Sequence, residues 1–202
     1  MKKQQICILG STGSIGTQAL DVIRQHSDRY EVYCLTANNS VEKLAQQARE
    51  FRPAAVVIAN EAHYDALQQR LNDQPEIKVY AGKEALEQIV SASPIDMVLA
   101  AMVGFSGLVP TINAIKAHKK IFLANKETLV VAGELICNLA KENHVPILPV
   151  DSEHSAIFQS IVGDADNKIE KILLTCSGGP FRLFSHEQLK TVTAADALKH
   201  PT

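Results

Sequence analysis

The stretch Gly10-Ser11-Thr12-Gly13-Ser14-Ile15-Gly16 decides the fold of this chain. An apolar run, residues 6–9, leads into it, and an amphipathic helical pattern, residues 15–23, leaves it. Glycine permits close backbone approach, and a helix N-terminus offers N–H groups and partial positive charge to a pyrophosphate. The hydroxyls of Thr12 and Ser14 add donors at the same place. The stretch therefore predicts a nucleotide-binding turn, with a ligand-free strand-to-helix turn as the alternative.

Alternation of strands and helices continues along the chain. Near-continuous apolar runs are typical of strands in a parallel sheet that is covered on both faces. We therefore predict an α/β fold, a Rossmann-like doubly wound parallel sheet over residues 1–150, followed by the start of a second α/β domain over residues 151–202. The later strands are predicted over residues 30–36, 54–58, 78–80, 96–101, 120–124, 146–150 and 172–176.

Composition limits the classes of function. The chain has 202 residues, 46% of them hydrophobic, and a formal net charge of -2 with nearly balanced signs, which argues against a general nucleic-acid or membrane surface. The four cysteines form no C-x-x-C pair, so neither a zinc knuckle nor a redox motif is indicated. The N-terminal apolar run is too short for a signal-peptide core. These features predict a cytoplasmic protein.

The end of the second predicted strand, Ala37-Asn38-Asn39-Ser40, is where such folds choose between dinucleotides. A site for NAD usually has an Asp or Glu here, which binds the ribose hydroxyls. No carboxylate is present, so nothing would repel the 2′-phosphate of NADP, and the amides and hydroxyl could donate to it. We predict NADP over NAD, although neither Asn38 nor Asn39 is the basic residue that would clamp the phosphate.

Three polar clusters follow later apolar runs, at residues 125–127, 151–154 and 177–180. The carboxyl ends of parallel strands meet at one edge of a sheet, where ligands bind. Lys126 could bind a substrate oxygen at this edge, or it could be a solvated lysine at a helix start. Ser177-Gly178-Gly179 could be an ordinary turn or a nest of amides and a hydroxyl for phosphate. His154 is as easily a packing residue as a catalytic one.

Asp151 and Glu153 allow two interpretations. Separated by one residue, their carboxylates could reach one point and bind a hard cation such as Mg²⁺ or Mn²⁺. Alternatively, Asp151 or Ser152 could cap a following helix, with Glu153 in its first turn. The residues alone favour the cap, and two ligands do not complete a metal site.

Four segments carry a family resemblance: LGSTGSIGTQALDVI (9–23), LANKETLV (123–130), LPVDSEHSAIFQS (148–160) and LLTCSGGPFR (173–182). In this order they are similar to the 1-deoxy-D-xylulose 5-phosphate reductoisomerases. The resemblance implies an NADPH- and metal-dependent enzyme of isoprenoid biosynthesis. It would rearrange 1-deoxy-D-xylulose 5-phosphate to a branched aldehyde, which hydride from NADPH reduces to 2-C-methyl-D-erythritol 4-phosphate.

The resemblance also implies roles for single residues. It favours the metal interpretation, with Asp151 and Glu153 as ligands of Mg²⁺ or Mn²⁺. Lys126, Glu153 and His200 would be catalytic, and Lys126, Ser152, Ser177 and His200 would bind substrate. The residues expected to bind the cofactor are Gly10, Thr12, Gly13, Ser14, Ile15, Ala37, Asn38, Asn39, Ser40, Asn125 and Glu127.

The family's chains continue beyond the position of Thr202, through a flap, a further metal-binding glutamate and a helical domain. We therefore expect an N-terminal fragment with a complete NADPH-binding domain, 1–150, and an incomplete catalytic domain, 151–202, which does not turn over. The full-length enzymes are expected to be homodimers. Two alternatives stay open: a non-catalytic nucleotide-binding module, and an NADP-dependent semialdehyde dehydrogenase, which would need a nucleophile such as Cys176.

Overall fold

The computed structural model describes residues 2–163, 167–174 and 178–199. It divides the chain into two compact units, Met1–Ser155 and Ala156–Thr202. The division falls inside a helix, shortly after the predicted boundary at residue 150. The assignment of a nucleotide-binding and a catalytic domain to these parts stays a prediction.

The first unit contains a seven-stranded sheet in the order β4-β3-β2-β1-β5-β6-β7, in which every neighbouring pair is parallel. Each strand ends close to where the apolar runs predict it. Strands β3 and β5 are buried along their whole length, as expected for central strands covered on both faces. The strands are β1 (Gln4–Leu9), β2 (Tyr30–Ala37), β3 (Ala55–Ile58), β4 (Lys78–Ala81), β5 (Met97–Ala100), β6 (Lys120–Leu123) and β7 (Ile147–Pro149).

Helices cover both faces of this sheet, and two hydrophobic clusters separate accordingly. Alternate residues of β1 show the separation, since Cys7 packs in one cluster and Ile8 in the other. This confirms the predicted doubly wound fold. The helices of the first unit are α1 (Ser14–Gln25), α2 (Val41–Phe51), α3 (Tyr64–Arg70), α4 (Lys83–Ile89), α5 (Leu108–Lys116) and α6 (Glu127–Glu142), with 3-10 turns at Glu61–His63 and Gly104–Gly107. A further helix, α7 (Ser152–Ile161), spans the division between the two units.

Two cysteines lie side by side in the core. Cys7 and Cys34 are register partners on β1 and β2, both are fully buried and both are free thiols. Burial raises the pKa of the Cys34 thiol, which keeps it protonated. The pair therefore packs as small apolar side chains, as the strand pattern predicts.

The described part of the second unit has little regular structure. It begins with the larger part of α7 and contains a 3-10 turn at Gly179–Phe181 and two short helices, α8 (His186–Leu189) and α9 (Ala194–Ala197), which begin with capping boxes at Ser185 and Thr193.

The predicted strand over residues 172–176 is wrong for the residues that the structure describes, because 172–174 form no strand. Their apolar side chains are 56–79% exposed, and the described residues of this unit offer no neighbouring strand with which to pair. An apolar run alone cannot distinguish such a segment from a buried strand.

Three residues singled out from the sequence, Cys176, Ser177 and His200, lie outside the described residues. Across the described ranges, no helix has the length and apolar character needed to cross a bilayer.

Candidate functional site

The glycine turn joins β1 to α1, and the fold itself requires two of its three glycines. Gly10 has φ +83°, and a Cβ there would lie 2.7 Å from the carbonyl oxygen of Ala101 on the loop after β5. A Cβ on Gly16 would lie 2.4 Å from the carbonyl oxygen of Gly10. Both distances are shorter than real contacts, so neither position accepts a side chain without rearrangement.

Gly13 differs from the other two glycines. Its φ of -76° is open to any residue, and a Cβ there would meet the Gly10 oxygen at 3.4 Å, an ordinary contact. Gly13 directly precedes α1, so the missing side chain leaves the first turn of the helix accessible. A pyrophosphate could approach the helix N–H groups there. This arrangement fits a dinucleotide, and Thr12, Ser14 and Ile15 lie beside it.

A buried hydrogen-bond network joins the glycine turn to β2 and α2 and fixes its position. The N–H of Gly10 donates to Thr36 Oγ1 at 2.9 Å, and the Ser11 hydroxyl donates to Gln47 Oε1 at 2.8 Å. The Gln47 amide donates back to the Ser11 carbonyl at 2.9 Å. Gln47 is 6% exposed and lies on α2, which therefore sets the position of the turn.

Sequence reasoning missed Gln47. The available signal was a glutamine on the buried face of α2, between Leu44 and Ala48. A buried amide needs hydrogen-bond partners.

The end of β2 places Ala37, Asn38, Asn39 and Ser40 at the same edge of the sheet, beside the glycine turn. Asn39 Oδ1 accepts a hydrogen bond from Asn60 Nδ2 at 2.8 Å. The hydroxyl of Ser40, which directly precedes α2, forms no capping hydrogen bond. The Ser40 hydroxyl and the Asn39 amide thus provide hydrogen-bond donors beside the turn.

Lys126 and Asp151 meet at the same edge, because they follow the neighbouring strands β6 and β7. Lys126 Nζ lies 2.9 Å from Asp151 Oδ2; the lysine side chain is 54% exposed and the aspartate side chain 10%. The hydrogen bond from Lys126 lowers the pKa of Asp151, and the same bond raises the pKa of Lys126. The negative charges of Glu153 and Glu127 raise the pKa of Lys126 further.

Asp151 also caps α7. Its Oδ1 accepts the backbone N–H of His154 at 3.3 Å, and its carbonyl oxygen accepts the N–H of Ser155 at 2.8 Å. The cap interpretation therefore describes one role of this carboxylate. The ring of His154 lies farther away, with Nδ1 4.0 Å from Asp151 Oδ1.

The donor set fits a hard cation only in part. Asp151 and Glu153 supply carboxylate oxygens near Lys126, which is the chemistry that Mg²⁺ and Mn²⁺ prefer. Among the described residues, no group of three or more Asp, Glu, His or Cys side chains could surround a metal ion. The assignment of Asp151 and Glu153 as metal ligands stays a prediction.

A cavity of about 220 Å³ lies between the glycine turn and the first two polar clusters, at residues 125–127 and 151–154. It is lined on one side by Ile15 from the start of α1 and on the other by residues from the ends of β6 and β7. The predicted site residues among its lining are Ile15, Lys126, Glu127, Asp151 and Ser152. The structure thus brings together residues predicted for cofactor, substrate and metal.

Asn125 has a different environment from that expected of a cofactor ligand. Asn125 is 2% exposed. Its amide nitrogen donates hydrogen bonds to the carbonyl oxygens of Met102 and Gly104. Its Oδ1 accepts hydrogen bonds from the backbone N–H of Thr128 at 2.9 Å and from the Thr128 hydroxyl at 2.7 Å. Its side chain therefore ties the loop after β5 to α6. A contact between Asn125 and the nicotinamide ribose stays a prediction.

Two family models match the chain. The model described as 1-deoxy-D-xylulose 5-phosphate reductoisomerase matches residues 6–133, and the model of the C-terminal domain of the same family matches residues 147–202. A reductoisomerase of this name from Bacteroides thetaiotaomicron is 66% identical over 200 residues, which cover 99% of this chain and 51% of the relative. One from Clostridium perfringens is 53% identical over 199 residues, 98% of this chain and 52% of that protein.

Solved structures agree with these relatives. The Zymomonas mobilis reductoisomerase in complex with NADPH is 39% identical, with a TM-score of 0.90 over 100% of this chain and 52% of that one. A reductoisomerase in complex with NADPH, fosmidomycin and magnesium is also 39% identical, with a TM-score of 0.84 over 98% of this chain and 51% of that one. The chain thus spans about half the length of the relatives that it matches.

Proposed function

The chain belongs to the 1-deoxy-D-xylulose 5-phosphate reductoisomerase family, and from this membership we propose that it carries the NADPH site and part of the catalytic site of such an enzyme. The reaction converts 1-deoxy-D-xylulose 5-phosphate into 2-C-methyl-D-erythritol 4-phosphate. The proposal draws on relatives crystallised with NADPH and with magnesium.

One observation in the chain carries the proposal. The cavity of about 220 Å³ has the start of α1 on one side and the Lys126–Asp151 pair on the other. A nucleotide bound along the glycine turn would therefore end next to a cation and two carboxylates. A non-catalytic nucleotide-binding module gives no reason for these charged groups to lie beside the cofactor site.

Each group in the site has a chemical task in this proposal. The open position at Gly13 and the first turn of α1 bind the cofactor's phosphates. Asp151 and Glu153 hold the divalent cation, and Lys126 donates to substrate oxygens. When bound, the cation acts as a Lewis acid on adjacent substrate oxygens and NADPH supplies the hydride.

Further residues complete the proposed site. Ser152 lines the cavity and binds substrate, whereas Glu127, which also lines it, contacts the cofactor. Ser177 contributes to the substrate-phosphate site, and His200 contacts substrate from the following segment. The roles of Ser177 and His200 depend on the family resemblance alone.

We also propose the setting of the enzyme. The balanced charge favours a small sugar phosphate over nucleic acid or a membrane surface as the partner. Cys7, Cys34 and Cys137 are free thiols, consistent with a reducing cytoplasm. The family resemblance suggests a homodimer.

The test of this proposal is calorimetric titration of the 202-residue chain, first with NADPH and then with MnCl₂. We expect saturable binding of NADPH, and Mn²⁺ binding that weakens at least about tenfold in the double variant Asp151→Asn, Glu153→Gln. The matched control Asp65→Asn, Glu84→Gln removes two exposed carboxylates elsewhere and should leave both affinities unchanged. Absence of NADPH binding would contradict the cofactor site, and equal Mn²⁺ affinity in both double variants would contradict the metal site.

A further inference from the structure

Lys43 is a cation at the glycine turn that the pattern of the β2 end did not reveal. It is the third residue of α2, and its Nζ donates to the carbonyl oxygen of Thr12 at 2.8 Å. Because β1 and β2 are parallel neighbours, the turn after β1 and the end of β2 lie at one edge of the sheet. The Lys43 amine is therefore beside the position where a 2′-phosphate would distinguish NADP from NAD.

No carboxylate among the described residues pairs with Lys43. Its one hydrogen-bond partner in the described structure is a neutral carbonyl oxygen, and it forms no ion pair with a residue that the structure describes. The adjacent carboxylate, Glu42, pairs instead with Arg70 at 2.6 Å. Lys43 can therefore exchange a neutral acceptor for a charged one, and charge-assisted hydrogen bonds are roughly twice as strong as neutral ones.

Two further donors lie near the same point. Asn39 Oδ1 accepts a hydrogen bond from Asn60 Nδ2 at 2.8 Å, so its Nδ2 group is the part of the Asn39 amide that can donate to a ligand. The Ser40 hydroxyl forms no capping hydrogen bond at the start of α2. Both groups could donate to a phosphate, which only accepts hydrogen bonds at neutral pH.

We propose that Lys43 recognises the 2′-phosphate of NADPH, together with Asn39 and Ser40. The cation thus comes from the first turn of α2 and replaces the base that is missing at Asn38 and Asn39. This inference rests on the proposed function, since it concerns the cofactor of the same site. It predicts that selectivity for NADPH over NADH depends on one exposed lysine.

The experiment measures dissociation constants for NADPH and NADH by cofactor fluorescence in the wild-type chain and in Lys43→Gln, Lys43→Arg and the control Lys141→Gln. Lys141 is an exposed lysine in the last turn of α6, remote from the turn. We expect Lys43→Gln to weaken NADPH binding about 10- to 100-fold and to change NADH binding less than about twofold. Lys43→Arg should restore most of the preference, because it restores the charge. Lys141→Gln should bind both cofactors as the wild type does.

The outcomes separate this inference from the proposed function. If the wild type binds neither cofactor, the proposed function fails and the inference fails with it. If the wild type prefers NADPH and Lys43→Gln keeps the same preference, only the role of Lys43 is wrong. An equal loss for both cofactors would also overturn the inference, since it would mean that Lys43 acts on the turn or the pyrophosphate. Thermal unfolding of each variant confirms that it is folded.

Discussion

The amino group of Lys126 lies 2.9 Å from the carboxylate of Asp151 and joins the ends of β6 and β7 across the cavity. A lysine directly before a helix faces the positive end of the helix dipole, which is unfavourable. Asp151 offsets this by supplying a negative charge, and its own charge is stabilised by Lys126 and by the N-terminus of α7. The interaction can therefore be tested by substituting Asp151 and Lys126 one at a time.

Asp151→Asn should reduce the acid sensitivity of the fold. The hydrogen bond from Lys126 lowers the pKa of Asp151 in the folded chain, so the carboxylate contributes stability above the unfolded pKa of about 3.9 and loses it as pH falls through the folded value. Asparagine can still accept the His154 N–H but cannot be protonated. Thermal unfolding at about pH 7, 5 and 3 should show a smaller loss of midpoint in Asp151→Asn than in wild type. Asp65→Asn, at an exposed site, should follow the wild type; parallel curves for all three chains would disprove the expectation.

Lys126→Met should tighten the binding of Mn²⁺. The lysine and the metal ion are both cations that approach Asp151, so removing one reduces the electrostatic cost of adding the other. The expected change in the dissociation constant, measured from the electron paramagnetic resonance of free Mn²⁺, is about threefold to tenfold at low salt. The control Lys141→Met removes an equal charge from the far end of α6 and should have no effect. Weaker binding in Lys126→Met would show that the lysine supports the metal site instead of competing with it.

Gly16→Ala should destabilise the fold, whereas Gly13→Ala should weaken NADPH binding and leave stability near wild type. A Cβ on Gly16 overlaps the Gly10 carbonyl oxygen at 2.4 Å, so we expect a loss of about 1–3 kcal/mol or more in the free energy of unfolding. A Cβ on Gly13 makes only an ordinary contact at 3.4 Å, so stability should be close to wild type. The methyl group would nevertheless occupy the approach to α1 and weaken NADPH binding about tenfold or more. Urea unfolding and cofactor titration check the two effects, and an unaffected NADPH affinity in Gly13→Ala would place the phosphates elsewhere.

Asn125→Asp should destabilise the first unit. The amide nitrogen donates to the carbonyl oxygens of Met102 and Gly104, and a carboxylate oxygen in that place would face them without a hydrogen. We expect a loss of about 1–3 kcal/mol in the free energy of unfolding at neutral pH, measured in urea. Asn138→Asp, at an exposed position of α6, is the matched control and should stay near wild type. Equal stability of the two variants would mean that Asn125 does not fix the loop after β5.

Most of the parallel sheet could be predicted from the sequence because its signals are local. Apolar runs of four to six residues mark β1, β3 and β5, and the glycine turn marks the start of α1. The run at 172–174 has the same local character but lies exposed and unpaired in its unit. Whether such a run becomes a strand depends on a neighbouring strand, which is not a local property.

The site residues that could be predicted from the sequence are those that come directly after a strand. Because the carboxyl ends of parallel strands meet at one edge of a sheet, Lys126 and Asp151 were predicted to lie at the same edge. The distance of 2.9 Å between Lys126 Nζ and Asp151 Oδ2 agrees with that placement. Lys43 and Gln47 escaped prediction because both lie inside an ordinary amphipathic helix. Their meaning comes from the packing of α2 against the turn, where Gln47 reaches Ser11 and Lys43 reaches Thr12.

The sequence by itself determined the order of strands and helices in the first unit, the glycine turn and the family to which the chain is similar, because backbone preferences and apolar periodicity act over a few neighbouring residues. Only the tertiary structure decided which glycine is free to face a ligand, since a clash such as that between Gly16 and Gly10 depends on how the turn folds back on α1. It likewise decided that Asn125 is committed to the loop after β5 and that Lys43 lies at the cofactor edge. Hydrogen bonds and charges act through space, so residues far apart in the chain acquire their roles when the parallel strands bring their ends together.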